Sequence, residues 1–122
     1  MAKFSIAMLV CSDLARSRDF YRNVLGLKIL ADQVPQWVEF ELTPGTSFGL
    51  HARSELLAVR PGSLQLGFSV GNVDKFVADA ASMGVPIFQD PYDESFGRVA
   101  VISDPDGYPI QIATPKHPTT SS

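Results

Sequence analysis

The chain has 122 residues, room for a single core and little beyond it. Apolar residues make up 45% and charged residues 19%, ordinary globular usage that excludes a disordered body. The net charge of −3, with no cluster of Lys or Arg, excludes a nucleic-acid partner, and no membrane partner is expected.

Near the start, Lys3 and the apolar run from Phe4 to Cys11 have the outline of a short signal peptide. No small-residue cleavage site follows before Asp13, and Arg16 and Arg18 come soon after, so the run reads as a strand and the protein as cytoplasmic. Cys11, the only cysteine, has no intrachain partner, which suits a reducing compartment. Asp13 is a good helix N-cap, and Phe20, Val24 and Leu27 supply an apolar stripe. The helix is expected to stop at Gly26, where a left-handed residue carries no Cβ penalty. Three short strands are expected next, at about 28–34, 37–42 and 47–53, with Thr43-Pro44-Gly45 as a turn. A linker at 54–62 closes on Arg60-Pro61-Gly62.

The second half repeats the first. The strand from Gln65 to Val70 leads to Asn72 at the cap position, then to a helix with Phe76, Val77 and Ala80, and to a stop at Gly84. Strands are expected at about 85–89, 98–103 and 109–114, with Asp104-Pro105-Asp106-Gly107 as the closing turn. Between the first two lies a long loop, 90–97. The polar tail 115–122 has no period and is expected to be mobile. The fold class is therefore α+β, two βαβββ modules at about 3–53 and 63–114 within one domain, 1–114.

Two stretches carry a family resemblance. Ser12-Asp13-Leu14-Ala15-Arg16-Ser17-Arg18-Asp19-Phe20-Tyr21 resembles the first-helix signature of the vicinal-oxygen-chelate superfamily, the glyoxalase/bleomycin-resistance/dioxygenase family. The stretch from Phe96 to Tyr108 resembles its closing motif. The resemblance spans roughly Phe4 to Thr114 and implies mixed sheets curled into an open cup, and frequent dimers. Its members include metal-dependent lyases, epimerases and dioxygenases as well as proteins that only bind an antibiotic, so the site has to decide the function.

Side chains alternate along a strand, and Leu66, Phe68 and Val70 are fit to cover a helix; Gln65, Gly67 and Ser69 then face the cup. By the repeat, Ile6, Met8 and Val10 face it in the first half. Phe48 and Leu50 turn Gly49 and His51 inward, while Ile110 and Ile112 do the same for Gln111. The positions that carry a metal in the family thus become Ile6, Gly49, Gln65 and Gln111. Ile6 and Gly49 have no ligating side chain, and two neutral amides suit a transition metal poorly, so no metal and no cofactor are expected. Cys11 reads as inert core. Asp104 and Asp106 read as turn carboxylates before they read as a catalytic pair. No triad or phosphate loop is present.

What remains is a binding cup. Met8, Trp37, Tyr92 and Phe96 are the candidates for an aromatic and apolar lining, with Glu39, His51, Gln65 and Gln111 as polar contacts. Trp37 either shares the cup side with Glu39, an arrangement suited to a flat cation, or covers a dimer seam. Phe96 either forms part of a lip over the cup or packs on a partner. The expected function is metal-independent binding of an aromatic or amphipathic small molecule, bleomycin-resistance-like, by a homodimer. The alternatives are a metal-dependent lyase, isomerase or dioxygenase-like enzyme of the same fold, and a module that binds a metabolite to regulate another protein. Pro109, near the start of the last strand, is expected to mark where two chains part.

Overall fold

The computed structural model describes residues 1–116. They form two compact units that part between Arg60 and Pro61. Each unit is α+β, with one helix and one four-stranded mixed sheet that does not close on itself.

In the first unit β1 (Ile6–Cys11) leads into α1 (Leu14–Asn23), followed by β2 (Ile29–Gln33), β3 (Trp37–Thr43) and β4 (Thr46–Ala52). The apolar run that has the outline of a leader is thus one of the two edge strands of a sheet ordered β1-β4-β3-β2. Asp13 caps α1 by accepting from the Arg16 amide at 3.2 Å, and Gly26 beyond the helix takes a φ of 73°. The helix buries Leu14, Phe20 and Tyr21 against the sheet. The opposing face of the sheet supplies Leu9, Cys11, Val38, Phe40, Phe48 and Leu50, all within 2% of full burial. Tyr21 meets Phe20 and Phe48 edge-on, with ring centroids 5.0 and 5.1 Å away. Burying each large apolar side chain contributes about 1.5–3 kcal/mol, so this aromatic nucleus holds α1 to one face and leaves the other open.

The second unit repeats the plan with β5 (Leu66–Ser69), α2 (Val73–Ser82), β6 (Ile87–Glu94), β7 (Gly97–Ser103) and β8 (Pro109–Pro115), in the order β5-β8-β7-β6. Asn72 caps α2 through the Lys75 amide at 3.0 Å. Val73, Val77 and Ala80 pack on a face that includes Ala100, Ile102, Ile110 and Ile112. Asp104, 2% exposed, organises the closing turn: its Oδ1 accepts from the amides of Asp106 and Tyr108, both at 2.9 Å.

Three expectations change here. The long loop 90–97 is instead the continuation of β6, paired through Tyr92↔Val99 and Glu94↔Gly97, with only Ser95 and Phe96 in the turn. Pro91 is accommodated because β6 is an edge strand whose register shifts twice, between Ile87 and Gln89 and between Gln89 and Tyr92. Pro109 does not mark an edge, because β8 lies between β5 and β7. The last strand also runs further than expected: Pro115 pairs with Gly97, and the Lys116 amide donates to the Phe96 carbonyl at 2.9 Å. Gly97 permits that approach, since a Cβ there would collide with the Thr114 carbonyl oxygen and stand 2.9 Å from Pro115 Cα. The rest of the expected tail, 117–122, lies outside the described residues.

Candidate functional site

Each helix covers one face of its sheet, and the expected site residues on the strands lie on the other; Gln65 stands just before β5 and Phe96 in the turn between β6 and β7. In the first unit the strand register sorts that open face into rows. Gln33, Trp37, His51 and Val10 share one row; Ala31, Glu39, Gly49 and Met8 the next; Glu41, Ser47 and Ile6 the third. Trp37 therefore stands on the same face as Glu39 and Glu41. The absence of a side chain at Gly49 is used: a Cβ there would lie 3.0 Å from Met8 Cε and 3.2 Å from Ile6 Cδ1, so both side chains lie over bare backbone. Beside them is a hollow of about 430 Å³, lined by Ile6, Leu30, Glu39, Glu41 and the turn from Thr43 to Ser47.

The second unit builds its open face in the same way. Gln89, Val101, Gln111 and Gly67 form one row, and Tyr92, Val99, Ala113 and Ser69 the next. A hollow of about 280 Å³ is lined by Gln65, Tyr92, Phe96 and Gln111, joined by Glu94, Val99 and Val101. The eight expected residues thus fall into two groups by unit, Met8, Trp37, Glu39 and His51 on one sheet and Gln65, Tyr92, Phe96 and Gln111 around one hollow of the other. Glu94 is a lining residue that the sequence reading missed. Its signal is the two-residue spacing from Tyr92, which has meaning only on a strand.

Charge is divided between the two faces of each sheet. Arg18 pairs with Asp19 and Asp32 at 3.0 and 3.1 Å, and Arg22 with Asp19 at 3.0 Å. Arg98 spans Asp74 of α2 at 2.7 Å and Asp93 at 3.1 Å. The hydrogen bond to Asp74, seconded by Asp93, raises the Arg98 pKa, and the same bond holds the Asp74 carboxyl below its ordinary range. Neither hollow has a Lys or Arg in its lining, and among the described residues Glu39, Glu41 and Glu94 form no ion pair.

The remaining candidates for chemistry have structural work. His51 Nδ1 lies 2.7 Å from the Ala52 carbonyl, which can only accept, so Nδ1 is the donor of that hydrogen bond. Cys11 is 1% exposed, and its Sγ donates to the Leu9 carbonyl at 3.6 Å. Asp104 serves the turn, as the Asp-Pro-Asp-Gly sequence implies. Among the described residues no three of His, Cys, Asp and Glu come together as a metal-holding group. No helix among them is long and apolar enough to cross a membrane.

Known proteins share this build. The phenazine antibiotic resistance protein EhpR of Enterobacter agglomerans is 28% identical over 115 residues, covering 88% of each chain. The structure of TnmS3, an antibiotic binding protein from Streptomyces sp. CB03234, is 28% identical and superimposes with a TM-score of 0.78, covering 95% of this chain and 98% of that one. Protein ATC0852 from Agrobacterium tumefaciens superimposes with a TM-score of 0.81 at 27% identity, covering 96% of this chain and all of its own (100%). The model of the Glyoxalase/Bleomycin resistance protein/Dioxygenase superfamily matches residues 3–112, and the chain belongs to that superfamily.

Proposed function

We propose that this protein binds and sequesters an aromatic or amphipathic small molecule without a metal. The observation that carries this is the open face of the first sheet, where Trp37 and Met8 share one face with Glu39. A large aromatic surface beside a few polar groups is the usual make-up of a small-molecule pocket. Tyr92, Phe96, Gln65 and Gln111 offer the same mixture around the hollow of the second unit. EhpR and TnmS3, by their names a resistance protein and an antibiotic binding protein, support binding as the shared activity.

Metal independence is supported by the donor set. Of the four positions that carry ligands in metal-using members, Ile6 and Gly49 offer no donor, and the space of a side chain at 49 is taken by Met8 and Ile6. Gln65 and Gln111 offer neutral amides, which bring no charge to offset an ion's desolvation. The working form is read as a cytoplasmic homodimer, since β1 and β5 are edge strands of their own sheets and unpaired edges call for cover.

Trp37 is the only tryptophan, so its fluorescence reports on this face directly. Acridine at pH 8 is expected to quench it to the same extent with and without a chelator. Trp37→Ala is expected to weaken acridine binding, measured by calorimetry, by about 1–3 kcal/mol, as for loss of an aromatic anchor. Stoichiometric zinc, nickel, iron or manganese in the purified protein, with binding lost on chelation, would overturn the proposal in favour of a metal-dependent enzyme.

A further inference from the structure

Resting on that binding role, we propose that the ligand is a planar cation, recognised by Glu39 beside Trp37 with Glu41 reinforcing the charge. Three independent features converge on this. The first is geometric. Trp37, Glu39 and Glu41 occupy alternate positions of β3, opposite His51, Gly49 and Ser47 of β4. Alternate residues on a strand are roughly 7 Å apart, so a fused ring system lying on the Trp37 indole brings its far side to the Glu39 carboxylate. A cation in that place also gains from the face of the indole.

The second feature is that, among the described residues, neither carboxylate is engaged in an ion pair. Internal ion pairs tie Arg18 and Arg22 to Asp19, Arg98 to Asp74 and Asp93, and Lys75 to Asp79. No Lys or Arg lines the hollow that holds Glu39 and Glu41; Lys28, whose carbonyl accepts from the Glu41 amide at 2.9 Å, makes no ion pair with either carboxylate. A Lys or Arg there would have neutralised the two carboxylates from within the chain.

The third comes from the other unit. Its hollow, built by different residues on a sheet of the same plan, also contains a carboxylate, Glu94, and again no basic residue. Glu94 sits two residues from Tyr92 on β6, as Glu39 sits two from Trp37 on β3. Aromatic ring and carboxylate at alternate strand positions is thus a pairing present in both units. A net charge of −3 alone would not place a carboxylate two residues from an aromatic ring on the open face of both units.

The neutral and cationic forms of one ring system separate charge recognition from simple stacking. N-methylacridinium and acridine, both at pH 8, are titrated calorimetrically into wild-type protein, Glu39→Gln and Glu55→Gln. Glu55 is an exposed linker residue, so its variant makes the same change in net charge away from the site. Wild type is expected to prefer the cation by about tenfold, the combined effect of a cation–π contact and two partly screened carboxylates. Glu39→Gln is expected to cut that preference to threefold or less, whereas Glu55→Gln keeps the full preference. Raising sodium chloride to 0.5 M should weaken only the cation. Equal affinity of wild type for both probes, or a preference that survives Glu39→Gln, overturns cation recognition and leaves the binding role standing. No binding of either probe overturns both.

Discussion

Asp104 offers the most direct test of how this fold closes. The turn from Ser103 to Tyr108 joins β7 to β8, and the Asp104 Oδ1 alone accepts from two backbone amides, those of Asp106 and Tyr108, each at 2.9 Å. The same residue pairs through its own backbone: its amide donates to the Tyr108 carbonyl, and its carbonyl accepts from the Gly107 amide, both at 3.0 Å. Asp104→Ala keeps the backbone pair and removes only the side-chain acceptor. Leaving a buried donor without a partner costs about 1–3 kcal/mol. The Asp106 amide is partly buried and belongs at the low end, the Tyr108 amide is buried and belongs near the middle, so the sum is about 3 kcal/mol. In a chain of this size that corresponds to a drop in melting temperature of roughly 10–15 °C. Asp104→Asn retains an oxygen of the same shape for both donors and loses only the charge assistance, about 1 kcal/mol. Urea unfolding followed by circular dichroism, with the slope checked for constancy, measures both. If Asp104→Ala falls within 1 kcal/mol of wild type, or if the Asn variant is as unstable as the Ala variant, the carboxylate does not organise the turn as reasoned.

Two further outcomes are expected. The Asp74 carboxyl is held below its ordinary range by Arg98, so its contribution is fully present above the unfolded value of about 4 and is lost as pH falls through the lower folded value. The urea midpoint of wild type should therefore fall more steeply on acidification below about pH 4 than that of Asp74→Asn, and a steeper fall in the variant would reverse the assignment. Light scattering across micromolar concentrations should return twice the 13.2 kDa chain mass, and a monomer mass throughout would remove the homodimer.

The sequence was most legible where local chemistry has few solutions. Asp13 and Asn72 act as caps because a short acceptor at that position meets the amide three residues on, and Gly26 and Gly84 take φ of 73° and 85° just past their helices. The open faces followed from side-chain alternation, because the register runs unbroken where β1 pairs with β4 and where β5 pairs with β8. Legibility failed where tertiary pairing overrode a local signal. The strand was expected to stop at residue 89 and give way to a loop, but an edge strand needs only half of its backbone groups paired, and two register shifts absorb Pro91. That single error hid Glu94, whose alignment with Tyr92 depends on β6 continuing. Pro109 misled in the opposite direction, because the position of β8 within its sheet is set by topology and leaves no local trace.

The register shifts in β2 and β6, one edge strand of each sheet, have a consequence for the protein at high concentration. β2 slips against β3 between Ile29 and Ala31, and β6 slips twice against β7. Bulges of this kind bend a strand and break the regular spacing of its outward amides and carbonyls. A stray β-strand from another molecule cannot then zip along either rim for more than a few residues. These two edges therefore resist templated growth into fibrils, and straightening β6, for instance by deleting one residue at its second slip, should yield a variant that seeds ordered aggregates where the wild type does not.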